Sequence, residues 1–79
     1  MKQLVFSDHR TYSSAIHNGK RYIVLYWSGS NKFTTDITTG NSKRTGETDP
    51  DKKFNYLQEA KDHLNNIAFP ENKKYEKIH

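Results

Sequence analysis

At 79 residues the chain holds one domain with one modest core. With no cysteine, that core leans on neither disulfides nor thiolate metal sites. Only 32% of residues are hydrophobic and the mean hydropathy is −1.08, yet 13% are aromatic, which argues against a disordered chain. The net charge of +4, with ten Lys among the thirteen basic residues, permits an acidic partner, protein or nucleic acid.

Residues 2–7, Lys-Gln-Leu-Val-Phe-Ser, alternate as a first strand with Leu4 and Phe6 on one face and Val5 on the other. Segments 11–17 and 20–27 flank Asn18-Gly19, a dipeptide that tolerates the positive φ needed at both central positions of a type I′ turn. That two-residue loop sets His17 opposite Lys20, Ile16 opposite Arg21, Ala15 opposite Tyr22 and Tyr12 opposite Leu25. Period-2 alternation then puts Tyr12, Ile16, Ile23, Leu25 and Trp27 on one side, which is assigned to the core. The other side carries Ala15, His17, Lys20, Tyr22, Val24 and Tyr26, so the 20–27 strand is apolar on both faces and suits the middle of the sheet. Ser28-Gly29-Ser30-Asn31 reads as a turn. A further strand over 33–39, rich in Thr, places Phe33, Thr35 and Ile37 on one face.

Residues 40–53 hold no apolar anchor and read as a long, mobile, solvated loop. The helix that follows has two candidate starts. Asp49-Pro50 offers an N-cap with Pro at the first helical position, and Asn55 with Gln58 offers a capping box. Tyr56, Leu57, Ala60, Leu64, Ile67 and Ala68 form its apolar stripe, with Asn55, Gln58, Glu59, Asp62, Asn65 and Asn66 on the polar back. Pro70 closes it. The tail over 71–79, with Tyr75 and Ile78, reads as a ragged end or a short extra strand. The chain is therefore expected to be a single α+β domain over 1–79, a three- to four-stranded antiparallel sheet packed on one C-terminal amphipathic helix.

Chemistry-bearing patterns are sparse. His9, His17, His63 and His79 fall in unrelated places, with no pair at metal-ligand spacing on the helix. Asp8-His9 has no Ser or Cys nucleophile in a recognisable context beside it, and Gly29, Gly40 and Gly46 make no phosphate cradle ahead of a helix. The expectation is a protein that is not an enzyme and that uses no cofactor, metal or small-molecule substrate. No run approaches the ~20 apolar residues that cross a bilayer, and the run at Leu4-Val5-Phe6 is too short for a signal peptide. No membrane association is expected, and a cytoplasmic location is.

The second sheet face is the candidate contact surface. Tyr22 and Tyr26 project from it beside Lys20 and His17, and tyrosine is a favoured anchor in protein interfaces. Aromatic rings interleaved with cations also stack unpaired bases, so Lys20, Arg21, Lys43 and Arg44 are the candidate nucleic-acid contacts. Three strands followed by Phe54-x-x-x-x-Glu59-Ala60-x-x-x-Leu64 resemble short accessory proteins encoded by phages and mobile elements. That resemblance implies a stoichiometric binder that modulates or inhibits a host protein complex such as a defence system, inside a bacterial cell. The order of sheet then helix is also similar to AP2-like and integrase arm-binding domains, which lay a three-stranded sheet in a DNA groove. The chain departs from these in its long polar insertion before the helix and in having Arg21 as the only Arg on its strands.

Overall fold

A computed structural model describes residues 2–72. Four antiparallel strands, β1 (Ser7–Asp8), β2 (Tyr12–His17), β3 (Lys20–Trp27) and β4 (Lys32–Thr39), lie side by side in chain order, followed by one helix, α1 (Leu57–Ala68). The Asn18-Gly19 turn sets the β2–β3 register, with His17 opposite Lys20 and Tyr12 opposite Leu25 as expected. Both turn residues have positive φ, 52° and 76°, which these two residue types accept at little cost. The four-residue turn over 28–31 then pairs Trp27 with Lys32, so Tyr26 faces Phe33, Val24 faces Thr35 and Tyr22 faces Ile37.

That second register decides which face is core, and it reverses the expected assignment. Phe33 and Ile37 are the only large apolar side chains of β4, and both fall in line with Tyr26 and Tyr22. The opposite row of β4 carries Lys32, Thr34, Asp36 and Thr38. Ala15 and Ser13 on β2 complete the first face and are small enough for a helix to approach closely. The helix therefore packs on the Tyr22–Val24 side, where Ala15, Tyr22, Val24, Ile37, Ala60 and Leu64 form the buried centre with Leu4 and Phe69. Trp27, Tyr12 and Ile16, expected in the core, are instead 53%, 40% and 74% exposed.

Residues 2–6 keep the expected alternation but not the expected strand. Leu4 is buried, Phe6 packs against the core and Val5 lies exposed. This segment docks on the helix rather than the sheet: the Leu4 amide donates to Asn65 Oδ1 at 2.6 Å, and Lys61 Nζ sits 5.2 Å above the Phe6 ring. Asn65 thus leaves the polar back to which its spacing assigned it.

The 40–53 segment is largely exposed, as expected, but it is tied to the sheet. It turns back along the outer edge of β4, where Thr38 bridges Arg44 and Phe33 bridges Phe54. The Thr45 amide donates to the Ile37 carbonyl at 2.9 Å, and Phe33 and Phe54 exchange bonds of 2.9 and 2.8 Å. Thr48 anchors its middle, 8% exposed, with a hydroxyl 2.7 Å from Thr35 Oγ1 and 3.0 Å from His63 Nε2. Hydrogen bonding to an otherwise open edge strand supplies what apolar side chains do not.

Neither candidate cap starts the helix. Asp49 Oδ1 instead accepts the Asp51 amide at 2.9 Å in a local turn, and Asn55 Oδ1 accepts from Lys32 Nζ. The helix begins after Tyr56, which makes no side-chain cap bond and points largely to solvent. It ends at Ala68, just ahead of Pro70, with the Phe69 amide bonded to the Asn65 carbonyl at 2.8 Å. Of the expected tail over 71–79, Asn72 donates to the Lys2 carbonyl and Glu71 meets Lys2 at 3.3 Å. Tyr75 and Ile78 lie outside the described residues.

Candidate functional site

The reversal of faces moves every tyrosine-based contact expected from the sequence. Tyr22 is 3% exposed beneath the helix, and its burial raises the phenol above its ordinary pKa. A side chain so enclosed cannot anchor a partner. Tyr26 is half-buried, tilted against Phe33 at 5.1 Å, and its hydroxyl donates to Asn31 Oδ1 at 3.0 Å. His17 lies half-buried with its ring 4.8 Å from that of Phe69. Lys20 reaches across to Glu47 at 2.8 Å, a contact that raises the lysine and lowers the carboxyl. The structure therefore puts Tyr22, Tyr26, Lys20 and His17 on the covered face, where β3 meets the helix and the 40–53 segment. They do not form an open surface.

The four candidate nucleic-acid contacts are scattered likewise. Arg44 Nε binds Asp36 Oδ2 at 2.9 Å, and Lys20 is matched by Glu47, so two of the four cations already face carboxylates. Lys43 sits in the exposed turn after β4. Arg21 alone of the four projects from the uncovered side of β3, opposite Ile16 and Thr38. Asp8, one half of the Asp8-His9 dipeptide, bonds Ser13 Oγ at 2.6 Å and Lys61 Nζ at 2.9 Å, which hold its carboxyl below the usual range. His9 turns away to stack on Tyr12 at 4.5 Å. Among the described residues no group of three or more His, Cys, Asp or Glu is placed to hold a metal, and no helix is long and apolar enough to cross a membrane.

What the structure leaves open is the other face. Tyr12 and Ile16 from β2, and Ile23, Leu25 and Trp27 from β3, share it with Arg21 and with Lys32, Thr34, Asp36 and Thr38 from β4. The Trp27 indole N–H donates to Thr34 Oγ1 at 2.8 Å, so the ring is held against β4 and buries Thr34 while staying half exposed itself. Asp36 is engaged by Arg44. Among the described residues Lys32 bonds the neutral Asn55 side chain and forms no ion pair, and neither does Arg21. The face is thus an apolar band with residual positive charge at its margins. A groove at one end of it, of about 680 Å³, runs between Trp27 and Pro50, Asp51 and Lys53 of the edge segment. The sequence contained one signal for this placement, the phase of Phe33 and Ile37 on β4 relative to Tyr22 and Tyr26. Comparison of the chain with family models, with curated proteins and with solved structures finds no match to any of them.

Proposed function

We propose that this chain works by binding rather than catalysis, and that its contact surface is the uncovered sheet face centred on Ile16, Leu25 and Trp27. The observation that carries this reading is the clustering of three large exposed apolar side chains, Tyr12, Ile16 and Trp27, on one face of a domain this small. Apolar clusters of this kind on a folded domain mark contact sites more often than accidents of composition. The indole is already held by Thr34, so little of its freedom remains to be lost on association.

The partner this surface fits is a protein with an apolar patch rimmed by acid. Aliphatic Ile16, Ile23 and Leu25 between the rings offer no hydrogen bonds to bases, while Arg21 and Lys32 leave uncompensated charge for carboxylates. In its sharpest form, the chain is a phage or mobile-element accessory protein that binds and modulates or inhibits a host protein complex, such as a defence system. A photo-reactive residue at position 16 is expected to crosslink to one such protein, and the same group at Glu59 on the solvated helix back is not. Trp27→Ala with Ile16→Ala should weaken the association by more than about 2 kcal/mol, and Arg21→Glu should weaken it through charge. Equal crosslinking from both positions, or indifference to Arg21→Glu, would sink this reading.

A second reading rests on one observation: Trp27 and Tyr12 share the open face with Arg21 and Lys32, and rings beside cations on a sheet can stack unpaired bases. It requires oligonucleotide affinity that falls linearly with log salt, by roughly 0.7 to 0.9 per phosphate contact.

A further inference from the structure

The helix does not cover the whole of the face it packs on. Beyond its first residue, Leu57, a half-open cleft of about 330 Å³ remains between the β1–β2 turn and the β3–β4 end of the sheet. Val24 and Leu57 give it apolar walls, and four aromatic rings border it in two pairs. His9 stacks on Tyr12 at 4.5 Å with an interplanar angle of 22°, and Tyr26 tilts against Phe33 at 5.1 Å. Arg10 stands at its rim.

We infer that this cleft is a binding site for a small planar ring carrying an anionic arm, the chemistry shared by nucleoside monophosphates and aromatic carboxylates. Ring-lined cavities also take cations, held over aromatic faces, so charge decides between the two. Among the described residues no carboxylate lines the cleft, and the one formal charge there is the Arg10 guanidinium, which forms no ion pair among them. An arginine at the rim repels a cation and offers paired donors to a phosphate or carboxylate. Asp8, two residues before Arg10 in the chain, is engaged by Ser13 and Lys61. The volume stands at the small end of ligand pockets, which run from about 300 to 1,000 Å³, so it suits one ring system with a short arm. Asn31 Oδ1 and the Tyr26 hydroxyl engage each other at 3.0 Å, so the Tyr26 ring is already positioned before a ligand arrives.

This site is separate from the open face, although Tyr12 contributes to both, and it stands or falls independently of the partner-binding reading. Amide-resolved NMR titration of the full chain tests it with four probes: adenosine 5′-monophosphate, adenosine, indole-3-acetate and tetramethylammonium. Shifts at His9, Arg10, Tyr26 and Leu57 are expected with either anionic probe, at least tenfold tighter for the monophosphate than for adenosine if the source is a nucleotide. Tighter binding of indole-3-acetate assigns the site to aromatic carboxylates instead. Arg10→Gln should remove that charge preference while the Trp27→Ala, Ile16→Ala variant keeps it. No shift with either anion at millimolar concentration, preference for tetramethylammonium, or an unchanged preference in Arg10→Gln would overturn the inference.

Discussion

The two sides of β3 are both rich in apolar and aromatic side chains and meet opposite fates. Tyr22 and Val24 are shut beneath α1, while Ile23, Leu25 and Trp27, interleaved with them along one strand, face outward. On β3 alone the second set looks the better core. The difference is made by the neighbours that register supplies. Phe33, Thr35 and Ile37 of β4 line up with the first set beside the small Ser13 and Ala15 of β2. The second set meets Lys32, Thr34, Asp36 and Thr38 of β4 and gains apolar neighbours from β2 alone, Tyr12 and Ile16. A strand does not choose its buried face; the sum over the sheet does.

The sharpest way to break this comparison is to empty each side in turn. Tyr22→Ala should cost roughly 3–5 kcal/mol by opening a cavity under the helix, a large share of a small domain's stability. Trp27→Ala should cost about 1 kcal/mol, since the ring is half exposed and one hydrogen bond is lost. Urea denaturation of the two variants settles the order: a larger loss for Trp27→Ala would mean that the faces are reversed, and equal losses that neither face is the core alone.

A smaller effect probes what closes the covered side. Thr48→Val keeps the side-chain shape but removes the hydroxyl that links Thr35 to His63. Thr35 is 1% exposed, so its own hydroxyl is left without that partner, at a cost of about 1–2 kcal/mol. Hydrogen exchange should quicken at the Thr45 and Phe54 amides, which tie the segment to β4. Unchanged protection there would show that backbone pairing alone holds the edge.

The parts of this fold visible in the sequence are those encoded locally. Asn18-Gly19 needs only its own backbone preference to set a register, and Leu57, Ala60, Leu64, Ile67 and Ala68 need only helical spacing to form a stripe. What escaped depends on contacts between distant segments. Thr48 reads as an ordinary polar loop residue until β4 offers an edge and His63 a partner, 15 residues away. Residues 2–6 alternate like a strand but find Asn65, 61 residues on from Leu4, instead of a neighbouring strand. The cleft is similar: nothing local in His9-Arg10 foretells that Leu57, Tyr26 and Phe33 will stand around it. The choice of face was within reach, because the four-residue turn at 28–31 already pairs Phe33 with Tyr26.

Tyr22 also makes the comparison pH-dependent. Its phenol is raised above the ordinary value of 10.0 because burial disfavours the phenolate. A raised folded-state value means that stability is intact below the unfolded value and declines as pH rises beyond it. Tyr22→Phe should therefore flatten the alkaline limb of the stability profile above about pH 10. An unchanged alkaline limb in Tyr22→Phe would mean that burial of the ring does not disfavour the phenolate.

The smallest expected effect lies at the rim, where Lys20 meets Glu47 and β3 meets the edge segment. Their hydrogen bond lowers the Glu47 carboxyl and raises the Lys20 ammonium. The lowered carboxyl contributes above its unfolded value and is lost as pH falls through the folded one. The raised ammonium contributes below its unfolded value and is lost as pH rises through the folded one. The pair therefore acts across the neutral range between those limits. Both groups are substantially exposed, so salt screens the attraction and the gain is small. Glu47→Gln should lower the melting temperature slightly at neutral pH and low salt, and the difference should vanish in strong salt or at acid pH. A loss that persists under those conditions would mean that the Glu47 side chain holds the edge segment by contacts other than its charge, since the Glu47 backbone amide keeps its bond to the Thr45 hydroxyl in the variant.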